Sequence, residues 1–291
     1  MSSAANALAI KAKPPQRKTG FLELQDARVY FEVTGTGPAL VFAHGLAGNY
    51  LSWWQQIPVF ANQYSCITFS HRLFTPSTQT GQGRGAAAFA DDLRALLDHL
   101  NVDQAILVAQ SMGGWTCLRF AVRSPERVRG LLLAATAGMT PSGADFLGGP
   151  AIDARQKEMS ETLDAYRKGG IVPAAGARML VEQPKLYFLY QAIDELTPRA
   201  NKNVARDSFS QLPAVSREEL AKIKAPVLLL TSDEDVVFAA PVADQLAKYL
   251  ANARIERVQN AGHSIFFERA AEFNNILWEF CASLASPGKN N

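Results

Sequence analysis

A serine at a sharp turn is the feature of this 291-residue chain that could do chemistry. Ser111 follows the apolar run at 105–108 and precedes Met112-Gly113-Gly114, where a helical pattern begins. Small residues on both sides allow a tight strand–turn–helix connection, which strains the serine backbone and exposes its hydroxyl at a helix N-terminus. This pattern is typical of a nucleophile elbow, and it predicts that a general base and an acid lie at strand ends further along the chain.

The candidate base is His263, in the loop after the last predicted strand; a surface histidine is the simplest alternative. A histidine in that position can accept the serine proton, and a carboxylate orients it and stabilises its charged form. The acid precedes the histidine in this chain order. We assign Asp235, three residues past Ser232, with Asp233 as the alternative. The other common position for the acid, 136–139, contains no carboxylate.

Such a serine also needs backbone N–H groups that face the charge of a tetrahedral intermediate. Met112, directly after the serine, is one candidate donor, and Leu46, in the loop after His44-Gly45, is the second. We expect His44 to shape that loop by bonding the backbone rather than to act as a base. The chemistry requires neither a metal nor a cofactor, and we expect none.

The elements that must position these residues alternate between strand and helix patterns. The alternation predicts an α/β fold with a mostly parallel central sheet and helices on both faces. It stops between 136 and 216, where amphipathic patterns predict an inserted helical cap. We expect residues 1–19 to form a flexible arm, and 20–135 together with 217–291 to form the core.

Composition limits the partners and the compartment. The net charge of +2 gives no reason to expect nucleic acid as a partner. No apolar run reaches the length of a membrane span, and the N-terminus has the wrong order of charges for a secretory signal. The three cysteines (Cys66, Cys117 and Cys281) lie in apolar contexts, which predicts buried thiols and a cytoplasmic protein. The sequence does not indicate an oligomeric state.

Taken in order, these pieces resemble the α/β-hydrolase superfamily over nearly the whole chain. The matching residues are His44-Gly45 with Trp53, the helix around Asp91-Asp92, Gln110 to Gly114, Ser232 to Asp235, and Gly262-His263 with Glu268 and Phe273. Among its members, the pattern is similar to enol-lactonases, carboxylesterases and cofactor-free haloperoxidases. The resemblance implies a catalytic triad of Ser111, Asp235 and His263. It also implies Leu46 and Met112 as oxyanion-hole donors, with the 136–216 insertion as the cap.

One segment departs from the family pattern. Where the family usually has Asp-x-Arg-Gly-x-Gly-x-Ser, residues 70–77 read Ser-His-Arg-Leu-Phe-Thr-Pro-Ser. We therefore expect this loop to take a different path near the rim of the site, with His71 at the surface or in packing rather than facing substrate. Ala109 and Ser232 replace family glycines, which small residues can do without disturbing the triad.

Serine at position 111, rather than a carboxylate, excludes the dehalogenases and epoxide hydrolases of this fold. We expect hydrolysis of a carboxylic ester or lactone of a small molecule through an acyl-enzyme. An apolar or aromatic substrate is favoured because the cap is rich in large apolar side chains, namely Phe146, Met159, Tyr166, Met179, Tyr187, Phe188, Tyr190 and Phe209. Arg155, Arg167 and Arg178 leave room for a carboxylate-binding site.

Two other functions remain open. The same residues could perform C–C bond hydrolysis or cofactor-free oxygenation, in which His263 acts mainly as a base. The chain could also be a ligand receptor on a hydrolase-like scaffold.

Overall fold

The computed structural model describes residues 14–81, 83–138 and 147–285. Within these residues nine strands form one sheet. They are β1 Arg17–Glu23, β2 Ala27–Thr34, β3 Ala39–Ala43, β4 Ser65–Phe69, β5 Thr78–Gln79, β6 Ala105–Gln110, β7 Val128–Ala134, β8 Val227–Ser232 and β9 Ala253–Val258.

The sheet is mostly parallel, which confirms the predicted fold class. Its strand order is β1-β2-β4-β3-β6-β7-β8-β9, with β5 paired to β2. The three pairings that β2 makes, with β1, β4 and β5, are antiparallel. Strands β3 and β6 run parallel in a register that pairs Ala43 with Ala109. Their carboxyl ends therefore lie side by side, and so do the loops that follow them.

Eleven helices in the described residues accompany the sheet. They are α1 Ile57–Phe60, α2 Phe89–His99, α3 Met112–Arg123, α4 Pro150–Gly169, α5 Gly176–Glu182, α6 Pro184–Glu195, α7 Arg199–Ser210, α8 Arg217–Leu220, α9 Pro241–Ala247, α10 Ile265–Glu268 and α11 Ala270–Ala285. Helices α4 to α8 all lie in the chain between β7 and β8, where the strand pattern of the sequence stops.

Two apolar layers cover the sheet, one on each face. In β3, Val41 and Ala43 belong to one layer, whereas Leu40 and Phe42 belong to the other. A strand that is buried on both faces needs apolar residues at every position. This requirement explains the uninterrupted apolar run of 39–43.

One predicted boundary differs from the structure. Strand β1 begins at Arg17, so the predicted 1–19 arm overlaps it; Arg17 pairs with Glu32 of the neighbouring strand through a 3.1 Å hydrogen bond. Residues 1–13 and Phe146 lie outside the described part of the chain. In α6 the buried residues are Tyr187, Tyr190 and Ile193, whose spacing of three places them on one face of the helix.

The predicted state of the cysteines agrees with the structure. Cys66, Cys117 and Cys281 are buried free thiols. In the described segments, no helix combines the length and the apolar character needed to span a bilayer.

Candidate active site

Ser111 lies at the turn between β6 and α3 in a strained backbone conformation. Its φ is 51° and its ψ is −117°, and its N–H donates to the carbonyl of Ala134 at 3.0 Å. The positive φ of a residue with a side chain costs on the order of 1–3 kcal/mol. A Cβ at position 113 would lie 2.1 Å from the Ala43 carbonyl oxygen, and one at position 114 would lie 2.3 Å from Thr136 Cγ2. Glycines at 113 and 114 therefore let the turn sit close to β3 and β7.

The structure brings His263 and Asp235 together. The Nδ1 atom of His263 lies 2.8 Å from Oδ2 of Asp235, and both side chains are almost fully buried. The other oxygen, Oδ1, accepts hydrogen bonds from the backbone N–H groups of Val237 at 2.7 Å and Phe238 at 2.9 Å. These three contacts hold the carboxylate against the ring. Asp235 therefore has the geometry to orient His263 and to stabilise its charged form.

The alternative acid, Asp233, occupies a different place. Its side chain is exposed and accepts a long 3.4 Å hydrogen bond from the backbone of Ala261. Its backbone carbonyl and that of Asp235 accept hydrogen bonds from Arg155 at 2.9 and 3.0 Å. Arg155 therefore supports the acid loop through the backbone rather than offering a free charge to a ligand.

Three side chains hold the loop that carries His263 through hydrogen bonds to its backbone. The sequence analysis did not predict these contacts. Glu268 accepts a hydrogen bond from the Gly262 N–H at 2.7 Å, and Ser232 donates to the Gly262 carbonyl at 2.8 Å. Gln110 donates to the carbonyl of His263 at 3.2 Å. Ser232 and Gln110 end the strands β8 and β6, so two strand ends and a helix position one loop.

The loop after β3 is anchored by a chain of buried side chains. His44 donates from Nδ1 to the Gly45 carbonyl at 2.8 Å, and its Nε2 accepts hydrogen bonds at 3.0 Å from the backbone N–H and Nδ1 of His71. Nε2 of His71 lies 2.8 Å from the hydroxyl of Thr116 on α3. Burial lowers the pKa of His44 to about 4 and that of His71 below its usual value. Both rings are therefore neutral, which matches this pattern of donors and acceptors.

His44 thus has the structural role expected from the sequence. His71 packs inside the protein, which was the second of its two predicted positions; only 1% of it is exposed. Together they tie the loop that contains Leu46 to the helix that begins at Met112.

The divergent 70–77 loop holds the helical insertion onto the core. Thr75 donates from its backbone N–H to Thr197 Oγ1 at 3.1 Å and from its hydroxyl to the Leu196 carbonyl at 2.6 Å. Asn201 donates to the carbonyl of Leu73 at 2.9 Å. The buried Arg72 secures the base of the loop through ion pairs with Asp26 and Asp92, each at 2.7 Å.

A cavity of about 1030 Å³ lies over the carboxyl ends of β3 and β6. Ser111, His263 and both predicted oxyanion donors line it, with the rest of its wall coming largely from the helical insertion. Met112 is the first residue of α3, and N–H groups in the first turn of a helix have no partner within the helix. The apolar part of the lining comprises Leu46, Ala47, Met112, Trp115, Ile171, Val172, Pro173, Ala174, Pro198, Phe209 and Val237.

The arginines that the sequence proposed for carboxylate binding are arranged differently from one another. Arg178 is occupied by ion pairs with Glu182 and Glu234. Arg167 lines the cavity and pairs with Asp164 at 2.8 Å. Three further cationic residues of the lining, Arg199, Lys202 and Arg206, were missed because sequence patterns do not show which helix face meets a cavity.

Comparison with known proteins agrees with this architecture. The family model described as "alpha/beta hydrolase fold" matches residues 38–270, and the chain belongs to this family. It is 27% identical over 259 residues, covering 87% of this chain and 97% of the relative, to a Mycobacterium tuberculosis protein with the provisional name non-heme bromoperoxidase BpoC. It is also 27% identical over 267 residues to 3-oxoadipate enol-lactonase 2 of Acinetobacter baylyi, covering 88% and 94% of the two chains.

A solved structure has the same fold. A thermophilic esterase from Thermogutta terrifontis superimposes with a TM-score of 0.75 at 21% identity, covering 93% of this chain and all of the esterase. Family membership together with these relatives supports a hydrolase that acts on a small molecule.

Proposed function

We propose that this chain is a serine hydrolase that cleaves a carboxylic ester or lactone of a small molecule through an acyl-enzyme. The observation that carries the proposal is the 2.8 Å contact between His263 and Asp235 at the wall of a cavity that Ser111 also lines. The elbow conformation of Ser111 and the relatives named as an enol-lactonase and an esterase support the same reaction.

In the proposed mechanism, the Ser111 hydroxyl attacks the substrate carbonyl while Nε2 of His263 accepts its proton. Asp235 keeps the Nδ1 proton of the ring in place, so that the free nitrogen faces the serine and the charged ring is stabilised. The N–H groups of Leu46 and Met112 donate to the oxyanion. His263 then gives its proton to the leaving oxygen, and a water molecule activated by the same ring releases the acid.

The insertion between β7 and β8 acts as a cap in this proposal. It supplies most of the cavity wall beyond Ser111. Of the large cap side chains named in the sequence analysis, Tyr190 and Phe209 line the cavity. Phe188 is 73% exposed and takes no part. An acyl group of apolar character fits the lining nearest the serine.

A second candidate keeps the same residues but uses His263 mainly as a base, in C–C bond hydrolysis or cofactor-free oxygenation. The name of BpoC, which denotes an oxidative activity, supports it. The two candidates differ in their need for the serine oxygen. Ser111→Ala removes ester hydrolysis in the first and leaves a base-driven reaction in the second.

The experiment combines turnover of p-nitrophenyl esters with a serine-directed fluorophosphonate probe. We expect rapid turnover and labelling at Ser111, both of them lost in Ser111→Ala. Ser283→Ala, at an exposed serine of α11, is the matched control and should behave like the wild type. Labelling without turnover would indicate a receptor, and turnover that persists in Ser111→Ala would contradict the proposed mechanism.

A further inference from the structure

One wall of the cavity is a single face of helix α7. Arg199, Lys202, Asn203 and Arg206 all line the cavity. Their spacing of three, four and seven residues places them on one side of a helix. The cavity wall therefore contains a strip of cationic side chains that follows the helix axis.

The side of α7 that lines the cavity changes from cationic to apolar residues towards the proposed nucleophile, Ser111. Phe209, one turn beyond Arg206, also lines the cavity and packs edge-on against Trp115, with ring centroids 4.0 Å apart. Trp115 lies one turn after Ser111 on α3. The apolar end of α7 is thus nearest the serine, and the cationic end points away from it.

The positive charges exceed the negative charges in this lining. It contains four cationic residues and two acidic ones, Asp194 and Glu195. Lys202 is paired with Asp194 at 2.6 Å. Arg206 donates to the neutral amide of Asn203 at 3.3 Å. Across residues 14–81, 83–138 and 147–285, neither Arg199 nor Arg206 takes part in a salt bridge, so both are exposed lining residues without a carboxylate partner.

Helix α7 is held to the core near both ends. Asn201 donates to the Leu73 carbonyl at 2.9 Å, and Ser208 Oγ accepts a hydrogen bond from the Ala86 N–H at 3.0 Å. The helix backbone that carries the cationic strip is therefore held to the core, and the exposed side chains of Arg199 and Arg206 extend from it. A ligand that binds them does not have to order a mobile loop, which limits the loss of conformational freedom on binding.

We propose that the cavity recognises a substrate with a carboxylate at the end remote from the scissile carbonyl, bound by Arg206 and Arg199. This inference rests on the proposed function, which places the carbonyl at Ser111. Guanidinium groups match the two oxygens of a carboxylate. Along the helix, Arg206 lies roughly 5 Å and Lys202 roughly 10 Å from Phe209. A spacer of several carbons would join the carboxylate of the substrate to its scissile carbonyl. The substrate would therefore be apolar near the scissile carbonyl, as expected from the sequence, and anionic at its far end.

The test compares two esters of equal chain length, monomethyl adipate and methyl hexanoate, which differ in the terminal carboxylate. Binding to the Ser111→Ala protein is measured by isothermal titration calorimetry, so that no turnover interferes. We expect the adipate monoester to bind at least about tenfold more tightly, with the difference shrinking at high salt. Arg206→Glu in the same background should remove the difference.

Lys168→Glu is the matched control, because Lys168 is an exposed cation of α4 that does not line the cavity, and the change in net charge is the same. It should keep the preference for the anionic ester. Equal affinity for both esters, or a preference that survives in Arg206→Glu, would overturn the inference. Hydrolysis of neutral esters by the wild type is measured separately. Hydrolysis of monomethyl adipate is measured in the same way, and absence of turnover of both kinds of ester would overturn the proposed function while a binding preference still upheld the anionic site.

Discussion

The carboxylate of Glu268 accepts a hydrogen bond from the Gly262 N–H at 2.7 Å, immediately before His263 in the chain. Burial raises the pKa of this carboxyl group. The contact joins residues only six positions apart, so it ties helix α10 to the loop that precedes it. The orientation of His263 therefore depends on a side chain that is absent from the cavity lining.

Glu268→Ala tests this dependence. The change leaves the buried Gly262 N–H without its acceptor, which costs about 1–3 kcal/mol. We expect kcat for a soluble ester to fall by about tenfold or more while KM changes little, because ligand contacts remain. Glu268→Gln should recover much of the lost kcat, since an amide oxygen accepts the same hydrogen bond. Equal losses in both variants would show that the charge, rather than the hydrogen bond, is required.

The assignment of the acid predicts a sharp contrast between neighbouring residues. Asp235→Asn keeps the shape of the side chain but removes the charge that holds His263, and we expect kcat to fall by about a thousandfold or more. Asp233→Asn should stay within a few-fold of the wild type, because its side chain is exposed. Steady-state kinetics on one ester provides the comparison. The reverse order of the two effects would reassign the acid.

Close packing at the turn that carries Ser111 predicts that one added methyl group, at position 113, lowers the stability of the protein strongly. A Cβ at position 113 would meet the backbone of β3 at 2.1 Å, and a central strand cannot move aside. Gly113→Ala should lower the free energy of unfolding by about 3 kcal/mol or more. Gly169→Ala is the control, because its nearest neighbour, Ile171 Cδ1, lies 3.7 Å away. Urea denaturation measures both, and similar stabilities would contradict the packing argument.

Burial of His44 predicts a dependence of stability on pH. Because its pKa falls from 6.5 to about 4 on folding, the unfolded chain takes up the proton first. The contribution of His44 to stability is therefore complete above the unfolded pKa and is lost as pH falls towards 4. Between pH 7.5 and pH 5 this loss is about 2 kcal/mol.

Urea denaturation of the wild type and of His44→Gln at these two pH values measures that contribution. The variant should lose about 2 kcal/mol less than the wild type over the interval. His99→Gln, at an exposed histidine, should retain the wild-type pH dependence. If the wild type and His44→Gln lost the same free energy of unfolding between the two pH values, the result would contradict a buried neutral ring at position 44.

The sequence predicted the features that depend on local patterns. Apolar runs such as 39–43 must be central strands, because continuous apolar character suits burial on both faces of a sheet. The small residues around Ser111 predicted the elbow for a similar local reason. His263 and Asp235 were predicted from their order and strand-end positions, and the structure brings these two side chains into contact.

Features that depend on contacts between distant segments could not be predicted in this way. Neither the spacing of 199, 202 and 206 nor their charge shows that this face of α7 meets a cavity rather than solvent. The packing of His71 between His44 and Thr116 joins three segments that are remote in sequence. Trp53 and Trp54 are adjacent, and only the fold shows that the first is buried and the second is 42% exposed.

The hydrogen bonds from Thr75 to Leu196 and Thr197 have a consequence for product release. They join the start of α7 to the core, so this wall cannot swing outward as an independent gate. Residues 170–174 also line the cavity and connect α4 to α5 without being part of either helix, so we expect this segment to move more readily than α7 when a molecule departs. Hydrogen exchange should therefore be faster at the amides of Gly170, whose hydrogen bond is long at 3.4 Å, and Ala174 than at those of 201–206, and the product would leave where α4 meets α5.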